Sequence, residues 1–316
     1  MGKGSIPVIS VSGNSISEAW QKAFLEVYEK GVRVATPKHQ EGVTPLGWDA
    51  AVLVEVTDPL SQPRFHKAAV PGLFDDLEIY RLEVIYGIHN FWVGDGWDYT
   101  YHERIFEYKT KDGTIINQIT NMIAQIKQNF VEKGRVSGRD FQVTSWMPWN
   151  DPFVDDPPCF QRAHFRLLKN EEGEGFLLDM GTDWRSRDLF KAWLMNVFAF
   201  TDLQRIIAKR VSEALGVPVT PGKYIDYSNS LHLYGAYADG INGAVRMINA
   251  RSFEDLTTDT SADEMCEEMT IEARRLTAAR LDAFKKGTVG KGASKETLKD
   301  LGYDIKNFPY PPEWDE

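Results

Sequence analysis

Apolar positions fall into two rhythms along the chain, one with the spacing of helices and one with the alternation of strands. Helical spacing marks 15–28, where Ser15 and Glu18 stand at capping-box distance ahead of a stripe of Ala19, Trp20, Phe24, Leu25 and Tyr28. It returns over 73–88, carried by Leu77, Tyr80, Val84 and Ile88. A third helical stripe covers 115–130 through Ile115, Ile119, Ile123 and Ile126. A long apolar helix is predicted over 189–215, ended by Gly216-Val217-Pro218. Short β-branched or aromatic runs bounded by turn residues predict strands at 49–56, 139–146, 163–168, 176–180 and 223–237. Between the second and third helices, residues 90–111 are aromatic and irregular, the pattern of a loop that packs over something. Residues 147–158 form an acidic, proline-rich loop. After residue 250 the chain turns acidic and then lysine-rich, with helical stretches near 261–285. These elements predict an α/β protein, a mixed sheet covered by helices, with a domain over 1–250 and a helical extension over 251–316 packed on it.

Composition narrows the function classes. The chain has 316 residues, 42% hydrophobic and 26% charged, enough apolar matter for a sizeable core. A net charge of −10 argues against a nucleic-acid surface, so an anionic ligand requires a local arginine pocket. Two cysteines far apart, Cys159 and Cys266, suggest no disulfide framework and fit a reducing, cytoplasmic setting. No apolar run reaches the roughly 18 residues of a membrane span, and no signal-peptide core stands at the start.

The candidate chemistry centres on Pro157-Pro158-Cys159-Phe160. Two prolines hold the cysteine on a stiff turn. Downstream, Asp183-Trp184-Arg185-Ser186-Arg187-Asp188 alternates arginine with hydroxyl and carboxylate. Arginine beside a thiol favours the thiolate, which is the attacking species. Taken singly, each feature has a plainer explanation: a buried structural cysteine, a surface ion-pair patch, an exposed helical Glu83.

Read in order, the motifs resemble the thymidylate synthase family, particularly its divergent archaeal-type branch. Asp112-Gly113 with Asn117-Gln118-Ile119-Thr120, Val143-Thr144-Ser145-Trp146 before the nucleophile loop, Pro158-Cys159, Arg185-Ser186-x-Asp188 with Asn196 eight residues on, and Tyr227-Ser228 followed by Leu231-His232-Leu233-Tyr234 stand in the family's order across roughly 75–240. The resemblance implies a bent mixed sheet and a homodimer formed through it. It implies that Cys159 adds to C6 of a pyrimidine nucleoside monophosphate, with 5,10-methylenetetrahydrofolate as co-substrate and no metal. Arg185, Ser186 and, from the neighbouring subunit, Arg139 would hold the phosphate, where guanidinium forks suit anions. Asn196 would read the O4 and N3–H edge of uracil, since its amide both donates and accepts; aspartate there would suit cytosine. His232 and Tyr234 would bind the sugar, Glu83 would organise water and proton transfer, and Tyr101 would assist loss of the C5 proton. Asp188 would position the base or the folate, and Trp97 (or Trp92) would lie against the folate.

The chain also departs from the family. Phe160 follows the nucleophile where histidine is common, Asp140 follows Arg139 where a second arginine is usual, and no glycine-rich arginine loop is visible near the start; Arg33, Lys38 or Arg64 are the basic residues on offer. The closing Tyr310-Pro311-Pro312-Glu313-Trp314-Asp315-Glu316 is unlike the family's apolar tail. The missing arginines touch the phosphate site, and the altered tail touches the folate side and the final hydride step. Two activities are therefore expected: reductive methylation of dUMP to dTMP, or, as the alternative, 5-hydroxymethylation of a pyrimidine nucleotide.

Overall fold

The computed structural model describes residues 5–35, 41–69, 74–136 and 138–316. Its centre is an eight-stranded mixed sheet. The strands are β1 (Val8–Gly13), β2 (Val32–Val34), β3 (Gly47–Val56), β4 (Gln142–Thr144), β5 (Phe160–Lys169), β6 (Phe176–Trp184), β7 (Arg187–Asp188) and β8 (Val219–Leu233). The main path runs β1-β3-β8-β6-β5-β4, with β2 on β3 and β7 on β8. β1 is parallel to β3 and β6 is parallel to β8, while β8 against β3 and β5 against β6 are antiparallel. The helices are α1 (Ile16–Lys30), α2 (Phe74–Tyr86), α3 (Tyr101–Phe106), α4 (Gln118–Lys133), α5 (Trp193–Leu215), α6 (Ala238–Ala250), α7 (Phe253–Leu256), α8 (Glu264–Lys285) and α9 (Lys295–Asp300).

Alternation along the strands explains the layering. Ala50, Val52, Val54 and Val56 of β3 are fully buried under α1, and Leu178, Met180 and Trp184 of β6 face the same side, where α5 packs on β6 and β8. The residues between them face outward: Leu53, Ile225 and Leu168 are 40%, 37% and 44% exposed on the opposite face. Arg162, Arg166, Asp179 and Asp183 line a groove of about 550 Å³ on that open face. α1 begins as its capping residues require, with the Glu18 amide donating to Ser15 Oγ and the Glu18 carboxylate accepting from the Asn14 amide. α5 is buried along most of its length and ends at Gly216 in the left-handed region, φ 69°.

Several elements depart from the pattern-based expectation. β1 arises from a start that the apolar rhythm left unassigned. The aromatic stretch 90–111 contains α3, capped by Thr100 accepting from the Glu103 amide. α4 begins at Gln118 because Ile115–Ile116 pair instead with Tyr108–Lys109 as a short hairpin, and Asn117 caps the helix through the Thr120 amide. α5 starts at Trp193, since Leu189 to Ala192 form the turn that Asp188 caps.

Beyond residue 250, Thr257–Thr258 pair with Phe65–His66, and α8 runs against α2. The closing segment turns back onto α2, where Trp314 is buried against Leu82 and Ile88. A buried charge network holds it there. Arg81 is bonded to Glu78 at 2.8 Å, Asp202 at 2.9 Å and the Trp314 carbonyl at 2.5 Å, and Arg274 joins Glu78 at 2.7 Å. Among the described residues, no helix is long and apolar enough to cross a membrane.

Candidate active site

Cys159 stands immediately before β5, where the β5–β6 register shifts between Phe160 and Arg162. A bulge at that point re-aims the side chains at the strand's entry. The Arg185 amide donates to the Cys159 carbonyl at 2.9 Å, and the half-buried thiol lies 3.7 Å from Ser186 Oγ. Arg185 reaches back to the proline loop, donating to the Pro158 carbonyl at 3.1 Å and the Pro157 carbonyl at 2.5 Å. Proline carbonyls accept but their nitrogens have no hydrogen to donate, so the guanidinium fixes the turn that presents the thiol.

A second anchor lies under the same loop. Arg104 of α3 makes a two-pronged pair with buried Asp151, at 2.7 and 3.0 Å, and donates to the Ser145 carbonyl at 2.9 Å. This joins the helix that begins with Tyr101 to the loop that carries Cys159. The Phe160 amide points to Tyr101 Oη at 3.4 Å, and the Tyr101 ring packs edge-on against Phe160, Trp184 and Phe200.

Beside this junction lies a cavity of about 390 Å³, lined by Tyr80, Glu83, Trp97, Tyr99, Tyr101, Asp156, Met195 and Asn196 among others. That volume falls within the roughly 300–1,000 Å³ of small-molecule sites. α2 supplies Tyr80 and Glu83 one turn apart, and α5 supplies Asn196. Asn196 Nδ2 donates to Tyr80 Oη at 2.6 Å. Glu83 Oε2 meets His89 Nδ1 at 2.7 Å. Burial raises the Tyr80 and Tyr101 phenols well above their ordinary range, with Glu83 adding to the shift at Tyr80 and Tyr99 at Tyr101. Tyr99 is pushed up to about 12 by burial and by its neighbour Cys159. The aromatic wall continues as Trp97, 38% exposed at the cavity, packed edge-on against Trp92 at 4.8 Å.

Four of the residues expected from sequence, Glu83, Trp97, Tyr101 and Asn196, thus line one cavity, with Cys159 beside Tyr101. His232 and Tyr234 do not line it. They form a ring pair at 4.6 Å, and β7 links them to the Ser186 turn because Asp188 registers with His232. Asp188 accepts from the Phe190 and Lys191 amides at 2.9 and 3.0 Å, capping the turn into α5. Arg139 lines the groove on the open face of the sheet. Of the basic residues considered near the start, Arg64 is packed inside: it donates to Thr201 Oγ1 at 2.9 Å, and burial lowers its pKa to about 10. Arg33 lies over Trp48 at 3.7 Å; Lys38 falls outside the described residues. Tyr80, Tyr99 and His89 were not singled out from sequence. Tyr80 could have been, since it shares a helical face with Glu83.

The family model for thymidylate synthase matches residues 85–281. The chain belongs to the thymidylate synthase family. That match contains Cys159, Arg185, Asn196, His232 and Tyr234, starts two residues after Glu83, and leaves 282–316 outside. The chain is 30% identical over 163 residues to a "Putative thymidylate synthase" of Methanocaldococcus jannaschii, covering 50% of this chain and 63% of that protein. It is 27% identical over 135 residues to a "Thymidylate synthase" of Listeria monocytogenes serotype 4a, covering 43% of this chain and 37% of that protein. A "Thymidylate synthase" of Listeria innocua matches to the same extent. The matches therefore span less than two thirds of the length of these curated thymidylate synthase relatives. The mixed sheet under a helical layer agrees with the fold expected of the family.

Proposed function

We propose that this chain transfers a one-carbon unit to C5 of a pyrimidine nucleoside monophosphate through a covalent adduct of Cys159 at C6. The observation that carries this reading is the convergence of Glu83, Tyr101 and Asn196 on one cavity beside Cys159. The Cys159 thiolate attacks C6, electron density moves to C5, and C5 becomes the nucleophile. Asn196 keeps Oδ1 and one amide hydrogen for the base edge while its other amide hydrogen serves Tyr80, which suits uracil and makes dUMP the first substrate to test. Glu83 and Tyr101 handle the protons at the base. Arg185 and Ser186 bind the phosphate, the guanidinium keeping its two proline carbonyls and turning its remaining N–H groups to the charged acceptor. In a homodimer built through the open sheet face, Arg139 would complete the phosphate site in trans. His232 and Tyr234 bind the sugar from the end of β8.

The exposed Trp97 edge offers the folate ring a face to stack on, and the Glu83, Asp98, Asp156 and tyrosine groups of the same cavity offer partners for the ring's N–H and carbonyl groups. Methylenetetrahydrofolate would supply the carbon and, for methylation, the hydride. A second reading, 5-hydroxymethylation, is favoured by the closing segment. Trp314 is docked on Leu82 and Ile88, and the tail does not line the cavity, so little in this chain excludes water from C5.

The test is incubation with methylenetetrahydrofolate and each of dUMP, dCMP, UMP and CMP, with products identified by mass. A methyl product with dihydrofolate assigns reductive methylation. A hydroxymethyl product with tetrahydrofolate assigns the second reading. No carbon transfer to any of the four refutes both.

A further inference from the structure

Glu83 is an almost buried carboxylate, its side chain 12% exposed, on the last turn of α2. A carboxylate taken out of water needs a donor, and His89 Nδ1 is that donor at 2.7 Å. The imidazole is itself held on two sides. It stacks on Trp92 with ring centres 3.8 Å apart and planes 7° from parallel, and it meets Trp97 edge-on at 5.8 Å. The loop beneath is clamped by the extension, through Phe91 on Phe284 at 4.4 Å and Lys291 on Asp95 at 2.6 Å. Behind the ring, Arg280 and Lys291 line a chamber of about 120 Å³. Phe160, beside the nucleophile, is apolar and fully buried, and provides no proton to this carboxylate.

We propose that His89 is a positioning residue for Glu83. Its Nδ1–H fixes Oε2, which leaves Oε1 turned to the cavity and the base, and the stacked tryptophan prevents the imidazole from rotating away. This rests on the function proposed above. A carboxylate that must meet one proton or one water loses rate when its orientation is released, and misplacement by about 1 Å costs about 10²-fold.

The full chain should be compared with His89→Leu and His89→Asn, the asparagine amide standing where the Nδ1–H stood. Expected is a loss of roughly 10- to 100-fold in kcat for the leucine variant, with the nucleotide KM little changed, and recovery of most of it by asparagine at matched thermal stability. A leucine variant with unaltered kcat, or an asparagine variant as slow as leucine, overturns the proposal. Independently of turnover, a nitrogen-15 spectrum of the wild-type histidines should show a proton on His89 Nδ1; an Nδ1 that carries no proton overturns it. Absence of turnover in the wild type would instead count against the proposed function and leave that spectrum to decide the role of His89.

Discussion

Acidification should destabilise this protein through His66. His66 is fully buried, 4.6 Å from the Trp20 ring and 6.1 Å from that of Phe253, at the pairing that joins the core to the start of the extension. Its Nδ1 accepts from the Ala68 amide at 3.2 Å, so its hydrogen is on Nε2, which donates to Gln21 Oε1 at 2.9 Å. A second ring proton would face the Ala68 N–H and lose that bond. Burial accordingly lowers the pKa of His66 to about 4. The unfolded chain binds the proton at about 6.5, so between these values the unfolded state holds more protons and stability rises with pH. The contribution is complete above pH 6.5 and is lost as pH falls toward 4. From pH 7 to pH 5 the loss is about 2 kcal/mol, approaching about 3 kcal/mol at lower pH. Urea midpoints of the wild type and His66→Phe at pH 7 and pH 5 measure it. His102, which burial also lowers to about 4, is present in both proteins and cancels in the comparison. The expected outcome is a wild-type loss larger than the variant's by about 2 kcal/mol. Equal losses, or an imidazole resonance of His66 titrating near 6.5, would refute the reasoning.

Three further outcomes follow from the site. Cys159→Ser should abolish carbon transfer while calorimetry still detects nucleotide binding; retained turnover would remove the thiolate from the mechanism. Asn196→Asp should move base preference from uracil toward cytosine by at least 10-fold in kcat/KM, because a carboxylate accepts from the cytosine amino group but cannot donate to O4; an unchanged ratio of dUMP to dCMP turnover would show that Asn196 does not read the base. Asp151→Ala should cost about 3–5 kcal/mol in urea unfolding, since it strands the buried Arg104 guanidinium; a change below 1 kcal/mol would mean water reaches that pair.

The legibility of the site follows from how each residue acts. Cys159, Arg185 and Asn196 carry chemistry in their side chains and stand at short, ordered spacings, so they can be read along the chain. Glu83 was legible as a carboxylate among apolar neighbours, but its partner His89 was not. That contact depends on how a glycine turn and an aromatic loop fold back, and no periodicity encodes it. α3 was hidden for a related reason: a six-residue helix has too few turns to show a stripe, and its stability comes from the Thr100 cap and the Arg104–Asp151 pair. Arg64 illustrates the converse. As a letter it was a basic residue available for an anion, whereas packing placed it beneath α5.

From the sequence alone came the long helices, the central strands and the order of the candidate residues Cys159, Arg185 and Asn196, because periodicity, capping and side-chain chemistry are local properties. Tertiary structure alone decided which sheet face stays open, that the closing segment docks on α2 through a buried arginine, and which tyrosines and which histidine meet at the cavity. Those outcomes depend on burial and on contacts that no local pattern encodes, the arginine and tyrosine bonds joining residues more than a hundred positions apart and the histidine bond closing across a turn.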